Sequence, residues 1–195
     1  NLDEFIEGGN PNVDDVPPVI ELEANKFVVA TGHKTAVNFS DVSANDALDG
    51  EVNVSGSDDG PFTAGRHVIT WTAIDAAGNT ATREQTLDVL PLVSLDQDQH
   101  AVEGSTSVVN LFLNGEPPDF PVTVAYTISG TADSNDHNAR NGQVMIESGR
   151  SGQLRIDITS DTLVEGDESI IITLTGAANA AVAPDNSKQI TIREV

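Results

Sequence analysis

The chain has 195 residues, with nine Lys and Arg against thirty-one Asp and Glu, for a formal net charge of −22. Phosphate backbones and anionic lipid headgroups repel such a surface, which excludes nucleic acid and membrane surfaces as partners and favours divalent cations. Aromatic residues make up only 4 % of the chain and cysteine is absent, so the cores must come from Val, Ile, Leu and Ala, and stiffness from something other than disulfides.

Residues 1–15 are polar and acidic and read as a linker from a preceding module, with Phe5 and Ile6 as the remnant of an earlier strand. They carry neither the basic nor the apolar run of a leader, and the chain reads as a segment of a larger protein. Regular patterning begins at Pro17. Val19–Leu22 and Phe27–Val29 read as a split first strand, Thr35–Phe39 as the second, and Glu51–Val54 follows a turn at Asp49-Gly50. His67–Ile74 is a longer strand with two candidate core faces, one carrying Val68, Thr70, Thr72 and Ile74 and the other Ile69 and Trp71; alternation alone leaves both open. A hairpin at Asp75–Asn79 leads to a return strand over Thr80–Val89.

Leu90-Pro91-Leu92 is the candidate junction, short and apolar, and Pro makes it a stiff connection. A second series follows: Val93–Leu95, Ser107–Leu113, Pro121–Ile128, Gln143–Ile146, Gln153–Thr159, Ser169–Thr175 and Gln189–Ile192. Leu154, Ile156 and Ile158 alternate with outward Arg155 and Asp157. Neither half shows an amphipathic helix, and no apolar run approaches the roughly 18–20 residues that span a bilayer. The expectation is an all-β chain of two tandem immunoglobulin-like β-sandwich domains, residues 16–90 and 91–195.

In a seven-stranded sandwich the loops alternate between two poles. In the second half, the loops after the first, third and fifth strands share a pole. This bookkeeping gathers Glu103, Asp136, Asp161, Glu165 and Glu168 at one tip. Clustered carboxylates repel one another and raise their own pKa values unless a cation sits among them. Oxygen ligands, without Cys or a well-placed His, select calcium over zinc. The competing reading is an acidic, solvated loop tip. In the first half the opposite pole is acidic. Asp14 and Asp15 arrive there from the linker, Asp46 and Asp49 lie on the long loop after the second strand, and Asp75 and Asn79 lie on the last hairpin. There the ordinary turn-forming role of Asp-Gly and Gly-Asn competes equally with a cation that would bridge linker and domain.

His33, His67, His100 and His137 are isolated and read as solvated surface residues; no HExxH, GxSxG, phosphate loop or dinucleotide signature is present. Two carboxylates suffice for a glycosidase, but such a cleft needs aromatic walls, and Trp71 and Tyr126 are the sole Trp and Tyr. The chain therefore reads as a non-enzyme.

Val102-Glu103-Gly104, Gly130-Thr131-Ala132 and above all the run Asp161-Thr162-Leu163-Val164-Glu165-Gly166-Asp167-Glu168 resemble a Calx-beta domain over about residues 91–195. The resemblance implies an immunoglobulin-like sandwich that binds calcium at its distal loops, with Glu103, Asp136, Asp161, Glu165 and Glu168 at the matching ligand positions. Ser160 stands where the pattern often has another Asp, His137 where it usually has Tyr, and only Arg193-Glu194 represents the closing acidic run; these departures imply fewer ions or weaker binding. Pro17-Pro18-Val19-Ile20, Asp49-Gly50-Glu51-Val52, Phe62-Thr63-Ala64-Gly65 and the stretch Thr72–Ala81 resemble a hyalin-repeat (HYR) or bacterial immunoglobulin-like domain over about residues 16–90. That group is linked to cell adhesion, and the absence of cysteine points to a bacterial relative. The function expected is a calcium-binding structural and adhesive module of a secreted or cell-surface protein. Its partners would be calcium, adjacent domains of the same polypeptide and cell-surface glycans or proteins. The alternative is a carbohydrate- or ligand-binding accessory module of a secreted hydrolase.

Overall fold

The computed structural model describes residues 14–162 and 164–193. Most of the predicted linker, including Phe5 and Ile6, lies outside the described residues, as do Leu163 and Glu194. The chain divides into two compact units. The first consists of the described residues up to Val28 with Ala36–Phe62 and Arg66–Asp88; the second consists of Val29–Thr35, Thr63–Gly65 and the chain from Val89 onward. Both are all-β, and no helix occurs among the described residues, so none is long and apolar enough to cross a membrane.

Among the described residues, seven strands run through the first part of the chain: β1 (Val19–Glu21), β2 (Asn25–Val29), β3 (Ser43–Asp46), β4 (Gly50–Val52), β5 (Val54–Gly56), β6 (Gly65–Ile74) and β7 (Thr80–Leu90). One sheet has the order β1-β3-β4 and the other β2-β7-β6-β5, so the predicted split first strand is divided between the two sheets. The two candidate faces of β6 are resolved by burial. Ile69, Trp71 and Ala73 are buried, while Val68 and Ile74 are exposed. The polar end of Trp71 explains how a large ring is accommodated. Its indole Nε1 donates to Oε1 of Gln85 at 3.1 Å, and Gln85, wholly buried, donates Nε2 to the Glu23 carbonyl at 2.8 Å. Phe39 packs edge-on against both Phe62 and Trp71, and this aromatic corner joins buried Ile20, Val42, Ala44 and Leu87 in filling the interior of the unit.

The predicted strand at Thr35–Phe39 is not formed; only Thr35 makes a bridge. Thr35 Oγ1 accepts the Thr31 amide, Asn38 Oδ1 accepts the Ser40 amide, and Val42 donates back to the Phe39 carbonyl. Local side-chain bonds of this kind compete with a sheet ladder, and Phe39 reaches the core from a turn. The strand lies instead at Ser43–Asp46, a stretch whose composition predicts a loop, with Ala44 and Asp46 pointing inward.

The second unit carries β8 (Leu92–Leu95), β9 (Gln99–Val102), β10 (Thr106–Leu113), β11 (Val122–Gly130), β12 (Gly142–Ile146), β13 (Ser151–Asp157), β14 (Glu168–Ala178), β15 (Ala181–Val182) and β16 (Ser187–Arg193). Its sheets are β13-β10-β8-β15 and β12-β11-β14-β16-β9. The sequence pattern predicts neither β9 nor the two-residue β15. β8 pairs antiparallel with β10 while β9 pairs parallel with β16, so here too the opening strand changes sheets. The core is aliphatic as composition required: Val93, Leu111, Val122, Val124, Ile146, Ile156, Ile170, Ile172, Leu174 and Ile190 are almost wholly buried. The two sheets therefore form an immunoglobulin-like sandwich whose loops project from its ends.

Candidate metal centre

At one end of the second unit, three connections meet. The turn after β9 carries Glu103, and the left-handed Gly104 (φ 71°) allows the chain to reverse into β10. The loop from β11 to β12 carries Asp133 and Asp136. The connection from β13 to β14 carries Asp161 and Glu165, and Glu168 opens β14.

Backbone hydrogen bonds fasten these loops to one another. His137 bridges Ile158, the Thr159 amide donates to the Asp136 carbonyl at 2.8 Å, and Asn138 exchanges side-chain and main-chain bonds with Asp157. On the other side the amides of Thr131 and Ala132 donate to the Ser169 carbonyl at 3.0 and 3.1 Å, and the Ser169 amide donates to Thr131 Oγ1. Gly130 makes this approach possible. It has φ 136°, and a Cβ there would overlap the Ser169 carbonyl oxygen.

The result is a cleft lined by Glu103, Asp136, Asp161, Glu165 and Glu168, together with Ile158, Thr159, Gly166 and Ile192. All five acids predicted for this pole line it. Asp136, Glu165 and Glu168 are the tightest group, each offering a carboxylate oxygen within 4.8 Å of the others. Loss of hydration raises the Glu165 pKa above its ordinary value, and the charges of Asp136, Asp161, Asp133 and Glu103 raise it further. Glu168 is raised for the same first reason, then by Asp136 and Glu165, and by a hydrogen bond with Asp136. Asp133, absent from the predicted ligand set, adds to this field. It also accepts the Asn135 amide at 2.6 Å while donating its own amide to Asp136, so it folds the loop that presents Asp136. The signal for it was the Asp-Ser-Asn-Asp run itself, a sequence of Asx-turn formers.

This chemistry fits calcium. The donors are all hard oxygens, they come from separate loops, and they hold negative charge that is otherwise mutually destabilising. His137 is not the surface residue expected. It is buried, and its Nδ1 accepts the Ala139 amide at 3.1 Å, so it shapes the loop and offers no ligand nitrogen on that side.

In the first unit, Asp14, Asp46 and Asp49 come together, with carboxylate oxygens within 4.8 Å of one another. Asp46 is buried and sits at the end of β3; its Oδ1 accepts the Leu48 and Asp49 amides at 2.7 and 3.0 Å, and these bonds, Asp49 first, hold its pKa below the ordinary value. Asp49 Oδ2 accepts the Ala76 amide at 2.7 Å. Asp75 does not join this group. Its two oxygens accept the main-chain and side-chain nitrogens of Asn79 at 2.7 and 2.9 Å, which closes the β6–β7 hairpin. Asn79 in turn donates to the Asp14 carbonyl at 3.1 Å. Asp15 is exposed and lies outside the trio.

Residues 13–89 match the family model of the HYR domain. No curated protein sequence matches the chain. Among solved structures, the chain is similar to the apo form of the Calx CBD1 domain at 18 % identity, covering 54 % of this chain and 98 % of that one with a TM-score of 0.49. It is also similar to the calcium-binding domain CBD12 of CALX1.1 at 18 % identity, covering 52 % of this chain and 44 % of that one with a TM-score of 0.48. For CBD12 from CALX1.2 the identity is 17 %, the coverage 53 % and 44 %, and the TM-score 0.41. The chain thus spans less than half the length of these two CBD12 structures.

Proposed function

We propose that this chain is a calcium-binding structural and adhesive segment of a larger extracellular or cell-surface protein, an HYR-type domain followed by a Calx-beta-type domain. The observation that carries the reading is the convergence of Glu103, Asp136, Asp161, Glu165 and Glu168 from three loops on one cleft. Asp136, Glu165 and Glu168 are the core ligands, and Glu103 and Asp161 complete the oxygen shell with carbonyls and water. Calcium supplies the positive charge that lets these acids stay ionised side by side, and the chain's own contribution is to deliver them on loops already tied together at Thr131–Ser169 and His137–Ile158. The role is mechanical: ordering the loop tips of a module that works alongside adjacent domains of the same polypeptide. The likeness of the first unit to an adhesion-type domain supports the extracellular setting.

The deciding experiment is thermal unfolding of the wild type and of Glu165→Gln, each in calcium and in chelator. Extracellular modules bind calcium at roughly 10⁻⁴–10⁻³ M. At a free concentration ten times Kd, one site stabilises by about 1.4 kcal/mol, which for a domain of this size is a rise of about 5–10 °C. The wild type gains this rise in calcium and Glu165→Gln loses most of it. Identical curves with and without calcium would remove the metal from the second unit.

A further inference from the structure

We propose that the first unit holds its own calcium site, formed by Asp14, Asp46 and Asp49, which pins the chain ahead of β1 to the β3–β4 hairpin. Three carboxylate oxygens within 4.8 Å do not by themselves make a site. The second observation is the state of Asp46. The residue is only 2 % exposed, and its Oδ2 is buried with no hydrogen-bond partner. Its Oδ1 is already saturated by the amides of Leu48 and Asp49. A buried carboxylate oxygen without a donor is costly and rare in a folded protein, and here a positive ligand is the missing partner.

The surroundings supply no alternative. Among the described residues, no Lys or Arg forms an ion pair with any of the three acids. Their neighbours use them sparingly. The Val16 amide donates to Asp14 Oδ1 at 3.3 Å and the Ala76 amide to Asp49 Oδ2 at 2.7 Å. Each acid is therefore oriented by main-chain donors that take one of its oxygens, as ligands of a structural cation must be. The donor set is all carboxylate, which selects calcium over softer metals.

The site also has a structural logic of its own. Asp14 belongs to the incoming chain, Asp46 and Asp49 to the β3–β4 hairpin, and the β6–β7 hairpin touches both, through Asn79 to the Asp14 carbonyl and Ala76 to Asp49. An ion at the trio fastens two of these segments directly, and the β6–β7 hairpin is tied to both by hydrogen bonds. Asp75 adds the rigidity beneath it by closing the β6–β7 turn on Asn79.

This inference shares with the proposed function only the choice of ion, and the two sites can be removed independently. Calcium binding to the full chain is measured by calorimetric titration in four forms: wild type, Glu165→Gln/Glu168→Gln, Asp46→Asn, and the triple variant. The double variant is expected to keep a calcium site that the triple variant lacks, and Asp46→Asn alone is expected to keep the site of the second unit. Asparagine preserves the Oδ1 acceptor and places a neutral donor against the other two acids, so Asp46→Asn in chelator unfolds no earlier than wild type. Asp14→Asn, which lies ahead of every described strand, serves as an independent variant and weakens the site by about tenfold or more. In the double variant, calcium also slows hydrogen exchange of the Val16 and Ala76 amides. The inference is overturned if the double and triple variants bind the same amount of calcium, or if the double variant binds none. Loss of binding on Glu165→Gln/Glu168→Gln alone bears only on the second unit.

Discussion

Replacing Gly130 by Ala tests how the second unit assembles its acidic cleft. Gly130 ends β11 with φ 136°, a region that residues with a Cβ avoid, and that Cβ would overlap the carbonyl oxygen of Ser169 on the paired strand β14. Adopting such a backbone conformation costs a non-glycine residue about 1–3 kcal/mol. The chain cannot simply tolerate the overlap, so Ser169 must also retreat. Its oxygen accepts from both Thr131 and Ala132, and each neutral hydrogen bond is worth about 0.5–1.5 kcal/mol. The combined loss is about 3 kcal/mol, a large share of the 5–15 kcal/mol that holds a typical domain together. At about 4–8 °C per kcal/mol the midpoint of the second unit falls by more than about 10 °C. Glu168 directly precedes Ser169 and Asp136 sits beyond Thr131, so the same retreat separates two members of the tightest carboxylate group. The calcium-dependent rise should therefore shrink along with the midpoint. Scanning calorimetry in calcium and in chelator reads both effects. A Gly130→Ala protein melting within about 2 °C of wild type would refute the reasoning, because the close approach would then be dispensable.

Two further outcomes follow from charge and from burial. Glu165 and Glu168 have folded-state pKa values above the ordinary 4.5, so in chelator the folded form binds protons more tightly than the unfolded chain. Stability without calcium should rise as pH falls from neutral through those raised values and stop rising near 4.5. It should then fall below about 3.8 as Asp41, whose value is lowered chiefly by its hydrogen bond with Lys26, loses that partner. With calcium present the upper limb reverses, because protons compete with the ion; a chelator profile that falls monotonically from pH 7 would contradict this. In the first unit, Gln85→Leu removes the acceptor of the Trp71 indole and the donor to Glu23 from a wholly buried position. The expected loss is about 2–4 kcal/mol. Trp71 is the sole tryptophan, so its fluorescence follows unfolding of this unit directly, and an unchanged midpoint would show that the indole needs no partner.

What the sequence revealed and what it hid have the same physical origin. Where a strand buries aliphatic side chains on one face, period-two alternation is visible, as at Leu154, Ile156 and Ile158. β3 was invisible because Ser43-Ala44-Asn45-Asp46 has the composition of a turn, and its inward positions hold only an alanine and a carboxylate. β9 was hidden for a similar reason. Gln99 occupies it as a polar hub, donating to Asp96 and the Val108 carbonyl and accepting from Ser107 Oγ, none of which leaves a hydrophobic trace. Thr35–Phe39 misled in the opposite direction, since its β-formers serve a turn whose bonds are local. The faces of β6 were undecidable without knowing that Gln85 lies opposite Trp71.

Which loops share an end of a sandwich depends on strand parity, not on strand boundaries. An opening strand that changes sheets, as β1 and β2 do and as β8 and β9 do, still counts once in that parity. The three alternate connections β9–β10, β11–β12 and β13–β14 must therefore meet whichever residues the strands begin and end on. What parity cannot supply is distance, and distance separates ligands from bystanders. Asp75 lies in the right hairpin yet spends both oxygens on Asn79, whereas Asp46, inside an unrecognised strand, keeps one buried oxygen unpartnered. In the proposed reading the two poles then differ in kind. Around Glu165 the acids are exposed or half-buried, and chelation leaves a repelling loop tip that water can enter. At Asp46 a single carboxylate is sealed in the fold by the amides of Leu48 and Asp49, so water cannot replace the ion as readily. The second unit should therefore release calcium with little change beyond its loops, while the first should hold its ion more tightly and lose order ahead of β1 when it is stripped.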